Sequence, residues 1–143
     1  MAQQQLTTVG GDPSRGLNTF FYATVHDKAT NFIDNYQSLG FVFKGPFDAR
    51  TKDDIGVGIS RLHVNEAVRD QARLLNQVNG ATDYDDPAFL PIQSTEYNSE
   101  IYYGIYLTDW LTVRPNLQYV VHPGGTDHVD NALVAGIKLQ TRF

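Results

Sequence analysis

The sequence predicts an all-β, antiparallel protein, and two alternating runs near its end are the strongest sign. In residues 111–122, and again in residues 133–142, apolar or small side chains alternate with polar ones. A strand points successive side chains to opposite faces, so each run has one apolar and one polar face. Between the runs, His122-Pro123-Gly124-Gly125 breaks the first strand and turns the chain. The pattern therefore predicts two neighbouring antiparallel strands.

Alternation of this kind fits two classes of sheet, and aromatic residues at the strand ends favour one of them. A soluble sheet packs its apolar face on a core, whereas an outer-membrane barrel turns that face to lipid and its polar face to a wet lumen. Phe143 is the last outward position of its strand, and Trp110 stands at the matching end of the preceding strand. Aromatic residues at one level form the interfacial girdle of a membrane barrel. We therefore predict strands of a transmembrane β-barrel.

Four earlier segments also have strand character, which gives about six strands in all. They cover residues 17–26, 35–44, 55–64 and 97–107. In the first of them, the adjacent Phe20 and Phe21 leave the facing of the strand open. In the third, the alternation slips, because Arg61 and His63 fall on the apolar face. A β-bulge near Ser60, or emergence of the strand above the bilayer, would explain the slip.

The remaining segments are predicted to be irregular, apart from one helix. Residues 3–15 are polar and rich in turn residues, so they are expected to form a loop or a ragged end. Asn65 can cap a helix, apolar residues follow at helical spacing, and Gly80 can end it. Residues 65–95 are therefore expected to form a long loop that contains one short helix.

Loop lengths give the strands an orientation, since barrels have short periplasmic turns and long extracellular loops. The tight link Thr108-Asp109 is therefore assigned to the periplasm, together with residues 45–54. The extracellular connections are then residues 27–34, 65–95 and 123–130. About six strands are too few to close a barrel, and an open edge cannot be tolerated in lipid. We expect the chain to require the remaining strands of a porin or further copies of itself.

Composition limits the function. The chain has 143 residues, a net charge of −5 and no cysteine, which argues against a nucleic-acid binder and excludes disulfides and thiol chemistry. Mean hydropathy is −0.33, and no run of 18 apolar residues predicts a transmembrane helix. Residues 1–5 lack the basic start and apolar run of a signal peptide, so a fragment is expected if the protein is exported.

Several segments resemble one family over nearly the whole chain, residues 10–143. DWLTVRPNLQYVVHPGG and VDNALVAGIKLQTRF are similar to the C-terminal end of the carbohydrate-selective porins of Gram-negative outer membranes, the OprB family. GGDPSRGLNTFFYATVHDK, NYQSLGFVFKGPFDAR and TEYNSEIYYGIYLTDW resemble the same family in the same order. Family members are about three times longer and form a sixteen-stranded barrel. The resemblance implies a single piece, residues 1–143, that forms the last third of an outer-membrane channel for passive diffusion of glucose and similar sugars.

Function is then expected on the lumen face, where cationic groups, amides, a carboxylate and tyrosine rings alternate with the lipid-facing residues. The candidate sugar-contacting residues are Glu100, Tyr102, Tyr106, Arg114, Asn116, Gln118, His122, Lys138, Gln140 and Arg142. Polar groups suit sugar hydroxyls and aromatic planes suit their C–H faces, and contacts in a pore must be weak so that the solute can leave. Arg114, Lys138 and Arg142 are expected to form a basic ladder along the wall. No residue is assigned a catalytic role, and no cofactor is expected.

Other constellations carry less weight. His122, Asp127, His128 and Asp130 have no metal-ligand spacing of a known type, and Asp83, Asp85 and Asp86 lack the glycine of an EF-hand loop. An alternative to transport remains open, namely a β-sheet scaffold that binds without transporting or a small barrel assembled from copies. Dependence on detergent would separate the two, since a soluble sheet stays monodisperse without it.

Overall fold

The computed structural model describes residues 1–142, whose strands form one antiparallel sheet. Seven strands lie side by side in chain order, each hydrogen-bonded to the next. They are β1 (Ala2–Gln5), β2 (Gly16–Val25), β3 (Ile33–Lys44), β4 (Asp54–Val64), β5 (Thr95–Tyr106), β6 (Leu111–Val121) and β7 (Ala132–Thr141). Within residues 1–142, β1 and β7 are the two edges, so the sheet is open.

The prediction of about six strands missed β1, which lies in the segment expected to be a loop or ragged end. Its residues pair with β2 from Ala2↔Phe21 to Gln5↔Asn18. The run of three glutamines in β1 has no apolar alternation, so periodicity gives no sign of a strand. The side chain of Gln5 secures the end of β1, because its Nε2 donates to the Pro13 carbonyl oxygen at 3.1 Å.

The register separates the sheet into two faces. We call the face of Ile101, Leu117 and Ile137 the apolar face, and the face of Glu100 and Arg114 the polar face. Cross-strand pairs continue each face, as in Val57↔Ile101↔Leu117 on the apolar face. Ile101 is 52% exposed although it lies on a central strand, and Ile137 is 73% exposed. The apolar face is therefore not covered by any second layer within residues 1–142.

The structure explains the slip in alternation that the sequence shows near Ser60. Pairing of β3 with β4 runs without interruption through Ser38↔Ser60 and Gln37↔Arg61, so a bulge near Ser60 is wrong. The irregularity lies instead on β3, between Ile33 and Asn35. Arg61 remains on the apolar face and donates to Asn35 Oδ1 at 2.5 Å, so polar partners replace apolar ones at this end.

One end of the sheet, which we call the loop end, carries residues 26–32, 65–94 and 122–131. The helix α1 (Glu66–Asn79) lies here, with Asn65 Oδ1 accepting from the Ala67 N–H and Gly80 in a left-handed conformation, as predicted. Asn65 Nδ2 also donates to the carbonyl oxygens of Lys28 and Asn31, which ties two connections together. The buried apolar residues in the described range are Val64, Ala72 and Ala81. No helix in residues 1–142 is long and apolar enough to cross a membrane.

The opposite end, which we call the turn end, carries residues 6–15, 45–53 and 107–110. Lys52 forms an ion pair with Asp109 across two of these connections. Trp110 is 54% exposed, and its carbonyl oxygen accepts from the Arg142 N–H at 2.9 Å. Trp110 thus lies level with the end of β7, while Phe143, its expected girdle partner, lies outside the described residues.

Candidate functional site: the polar face of the sheet

The predicted lumen residues that lie in strands share the polar face. Two cross-strand rows make this explicit, Gly58↔Glu100↔Gln118 and Gly56↔Tyr102↔Asn116. Arg114 pairs with Lys138, and Thr112 pairs with both Tyr106 and Gln140. The alternation in the sequence therefore assigned these residues to one face, although their contact with a solute stays a prediction.

Arg114 is held by a carboxylate that the sequence analysis did not include. Its Nη2 donates to Asp54 Oδ2 at 3.1 Å, and the Asp54 side chain is only 8% exposed. The expected basic ladder of Arg114, Lys138 and Arg142 is therefore interrupted, because the charge of Arg114 is largely offset by Asp54. Lys44 of β3 pairs with Asp54 of β4, and Arg114 of β6 pairs with Lys138 of β7. The polar face therefore carries a charge row from β3 to β7, made of Lys44, Asp54, Arg114 and Lys138.

Tyr102 and Arg114 form a second contact in this region. The guanidinium carbon of Arg114 lies 5.2 Å from the centroid of the Tyr102 ring, within the range of a cation–π interaction. The ring itself covers Gly56, where an added Cβ would approach it to 2.1 Å. Glycine at position 56 thus allows the ring to lie flat on the sheet instead of projecting from it.

Glu100 and Gln118 are joined directly, with Gln118 Nε2 donating to Glu100 Oε2 at 2.8 Å. Asn116 lies over Gly136, where an added Cβ would approach Asn116 Oδ1 to 2.7 Å. Both pairs keep their polar ends near the sheet surface. The middle of the polar face is therefore a shallow surface of amide and carboxylate groups.

His122 and Arg142 do not join the other candidates. His122 lies beyond β6 at the loop end, with φ of 51°, and its N–H donates to Asn131 Oδ1. Arg142 follows β7 at the turn end, where its N–H bonds to Trp110. The two residues are therefore at opposite ends of the sheet, and any solute contacts that they make are separate from the central ones.

The polar face also holds buried polar atoms without hydrogen-bond partners. Within residues 1–142 these atoms are Asp54 Oδ1, Arg114 Nε, Asn98 Oδ1 and Arg69 Nε. The first three lie on the polar face and the fourth on α1. Buried polar groups normally have hydrogen-bond partners, so these atoms are exceptions to the general rule. Asp54 was not among the predicted lumen residues, because it stands at the end of the predicted turn 45–54.

Metal ligation finds no support in the geometry. No group of three or more histidine and acidic side chains converges within residues 1–142. The ring of His128 stacks on Tyr84, with ring centroids 4.8 Å apart, and so links residues 65–94 to residues 122–131. Asp83 Oδ1 accepts from the Asp85 N–H, as in a local turn.

Comparison with known proteins identifies the family of the chain. The family model described as "Carbohydrate-selective porin, OprB family" matches residues 1–143. The chain belongs to the OprB family of carbohydrate-selective porins. This family consists of outer-membrane porins of Gram-negative bacteria, which are channels rather than enzymes.

Two proteins illustrate the similarity. Porin B of Pseudomonas aeruginosa is 67% identical over 143 residues, which are 100% of this chain and 32% of that protein. The high-pH structure of Pseudomonas putida OprB superimposes with a TM-score of 0.94 at 62% identity, over 97% of this chain and 33% of that one. The low-pH structure of the same protein gives a TM-score of 0.67 at 47% identity, with the same coverage of both chains. The chain thus spans about a third of the length of these OprB-family proteins.

Proposed function

We propose that the chain forms part of the wall of an outer-membrane channel through which carbohydrates, glucose and similar sugars among them, diffuse passively. Residues 1–143 would act as one piece of a sixteen-stranded barrel. Family membership and the superposition on Pseudomonas putida OprB support this proposal. The apolar face would meet lipid, and the polar face would line the water-filled lumen.

The observation that carries the proposal is the contrast between the two faces. Exposed aliphatic side chains such as Ile101 and Ile137 cover one face, and all the unpartnered buried polar atoms of the described strands lie on the other. Lipid cannot satisfy a polar atom, whereas water in a lumen can. A wall between lipid and water suits both faces at once.

The two edge strands indicate what the chain requires. β1 and β7 each present an unpaired backbone edge within residues 1–142. Unpaired N–H and C=O groups cost several kcal/mol each in hydrocarbon, about the cost that makes membrane sheets close. We propose that outer-membrane lipid, the remaining strands of a porin or further copies of the chain, and carbohydrate solutes are its partners.

The connections support an orientation. The longest of them, residues 65–94, lies at the loop end, and the shortest, residues 107–110, lies at the turn end. Barrels place short turns in the periplasm. We therefore propose that residues 65–95 form an extracellular loop that contains α1, and that Trp110 lies near the periplasmic interface.

Sugar contact is proposed for the polar face as a whole. Amide groups such as Asn116 and Gln118 both donate and accept, which matches hydroxyl groups. Because each contact competes with water in a wet lumen, each is weak, and weak repeated contacts let a solute enter and leave. His122 and Arg142 would contact solutes only near the two mouths of the channel.

Planar lipid bilayers provide the test. A complete barrel that carries these strands should conduct ions, and glucose should reduce that current in a concentration-dependent way. Conductance that glucose leaves unchanged would contradict a sugar-contacting lumen. A protein that stays monodisperse in buffer without detergent and shows no conductance would favour a non-transporting sheet scaffold.

A further inference from the structure

A cleft of about 260 Å³ lies on the polar face, and Tyr102 at its edge contacts Arg114 of the charge row. It is bounded by aromatic rings on two sides and by polar groups toward the loop end. The residues that matter for its chemistry are Phe20, Gly58, Ser60, Asn98, Glu100 and Tyr102. Of these, Phe20, Gly58 and Ser60 were not among the lumen residues predicted from the sequence.

Three glycines determine the shape of the cleft. The Phe20 ring covers Gly40, where an added Cβ would approach the ring to 2.4 Å, and the Tyr102 ring covers Gly56 in the same way. Gly58 differs from both, because an added Cβ would meet its nearest atom, the Leu39 carbonyl oxygen, at an ordinary 3.4 Å. Gly58 is thus an uncovered floor between two rings that lie on glycines of their own.

Polar groups border this floor along one strand. Gly58 pairs with Glu100 and Ser60 pairs with Asn98, so the side chains of Asn98 and Glu100 on β5 lie beside the cleft. Asn98 Oδ1 is buried and has no hydrogen-bond partner. One oxygen of Glu100 is occupied by Gln118, at 2.8 Å. The cleft therefore offers an unused acceptor and an oriented carboxylate next to aromatic surfaces.

We propose that this cleft is a subsite for a single neutral pyranose ring, an inference that rests on the proposed sugar channel. The Phe20 and Tyr102 rings would face the C–H surfaces of the sugar, and Asn98 and Glu100 would accept hydrogen bonds from its hydroxyl groups. The cleft is smaller than the pockets that hold drug-sized ligands, about 300–1,000 Å³, which limits the occupant to about one ring.

The surrounding charges favour a neutral ligand. The charged group that borders the cleft is the carboxylate of Glu100, which repels anions. The cationic side chains Lys44, Arg114 and Lys138 belong to the charge row, which lies closer to the turn end. Along β5 that row is level with Gly104, four residues from Glu100, or about 13 Å at ~3.3 Å per residue. An anionic solute would therefore be drawn to the row rather than to the cleft.

The substitution Gly58→Ala tests the subsite directly. It places a methyl group on the floor of the cleft, at a distance that the sheet accommodates without rearrangement. In a complete barrel, the methyl group should obstruct the sugar. The glucose concentration that gives half of the maximal current block should therefore rise about two- to tenfold, a loss of binding free energy similar to that of one hydrogen bond. Conductance without sugar should stay unchanged.

Two further variants provide a control and a second probe. Val134→Ile adds one carbon on the polar face in the same cross-strand row as Gly58, through Glu100 and Gln118, and should leave the block by glucose unchanged. Asn98→Ala removes the unpartnered acceptor without filling the cleft and should weaken the block to a similar degree. Sorbitol, an open chain with a similar set of hydroxyl groups, should block wild type and Gly58→Ala equally.

The outcomes separate the subsite from the channel. If glucose blocks wild type, and Gly58→Ala and Asn98→Ala are blocked just as well, the subsite is wrong and the sugar channel stands. If glucose does not block wild type at all, the proposed function and the subsite fail together. An equal loss of block in Val134→Ile would show a general narrowing of the lumen and would also overturn the subsite.

Discussion

Two consecutive carboxylates, Asp53 and Asp54, meet opposite surroundings on the two sides of the sheet. Asp53 is 1% exposed and accepts hydrogen bonds from Arg50, from the Tyr103 hydroxyl at 2.6 Å and from the Tyr106 N–H at 3.0 Å. Asp54 pairs with Arg114 through one oxygen, and its other oxygen has no partner. The first carboxylate is fully engaged in fixing a turn, whereas the second keeps free hydrogen-bonding capacity.

The difference shows which polar groups each side of the sheet can accommodate. Where no water reaches the wall, a polar group is retained only if the protein satisfies it. On a lumen face, water or a sugar completes the hydrogen bonds, so partial satisfaction is tolerated and useful. In the proposed channel, an ionisable residue would therefore stabilise the fold on one side and contact solutes on the other. The predictions below test this contrast, from the largest expected effect to the smallest.

The strongest test adds a charge to the apolar face and, separately, removes one from the polar face. Ile137 is 73% exposed on the apolar face near the middle of β7, and its neighbour Lys138 points to the polar face. Ile137→Arg should destabilise a complete barrel in lipid vesicles by about 2–4 kcal/mol if the site is near mid-bilayer. Lys138→Leu should hardly change stability. Urea unfolding in vesicles measures both, and a larger loss for Lys138→Leu would reverse the assignment of the faces.

The next test compares the two aspartates themselves. Asp53→Ala leaves the Tyr103 hydroxyl and the Tyr106 N–H without their acceptor, and loss of the Tyr106 N–H bond alone should cost about 0.5–1.5 kcal/mol. Asp54→Ala should cost less, because Arg114 keeps its contact with Tyr102 and, in the proposed channel, would be reached by lumen water. The comparison uses the same urea unfolding in vesicles. Equal losses would mean that Asp54 is as structural as Asp53.

Acidification should affect variants of Asp53 and Asp109, the two carboxylates of the turn end, differently. Burial alone would raise the pKa of Asp53, but hydrogen bonds from Arg50, Tyr103 and Tyr106 outweigh it and lower this pKa below its usual value. A carboxylate with a lowered pKa in the folded state contributes stability that is complete above about pH 4 and is lost as pH falls through the folded-state pKa.

The deficit of Asp53→Asn relative to wild type should therefore be largest at neutral pH and shrink toward pH 3. The hydrogen bond from Lys52 also lowers the pKa of Asp109, but that side chain is exposed. Asp109→Asn should therefore have little effect at either pH, since solvent screens an exposed pair. Unfolding of both variants at pH 7 and pH 3 measures this, and a deficit of Asp53→Asn that grows on acidification would contradict the assignment.

The part of this contrast that the sequence could predict is the part that local periodicity encodes. Alternation assigned Arg114, Gln118 and Lys138 to one face, and capping residues placed α1, because both signals lie within a few neighbouring residues. β1 was missed because its glutamines have no alternation. The bulge near Ser60 was wrong because a polar residue on an apolar face does not require a break in pairing.

Long-range partners were beyond reach for a different reason. Asp54 and Arg114 are 60 residues apart in sequence, and only the order and register of the strands bring them together. Gly58 likewise looks like any other glycine until the rings of Phe20 and Tyr102 are seen to cover its neighbours. Ion pairs between distant residues and open glycine positions such as these depend on the register of several strands, which one sequence does not determine.

The smallest expected effect concerns the charge row, which has one carboxylate, Asp54, among the cations Lys44, Arg114 and Lys138. Asp54→Asn should increase the preference of the channel for anions, and Arg114→Ala should decrease it. Two charges 4 Å apart in water interact by about 1 kcal/mol, and an ion in a wide lumen passes at a greater distance, so each shift should be below about 1 kcal/mol.

Reversal potentials in a KCl gradient across a planar bilayer measure these shifts, and their opposite signs are the decisive feature. Sugar block is recorded in the same experiment, because Arg114→Ala also removes a side chain that lies on Tyr102 and could weaken glucose binding. A charge-assisted hydrogen bond contributes about 1.5–3 kcal/mol at most, and less in a wet pore. If neither variant shifted the reversal potential, Asp54 and Arg114 would not act on permeating ions. Asp54 would then be as closed to the lumen as Asp53, and the contrast between the two carboxylates would not hold.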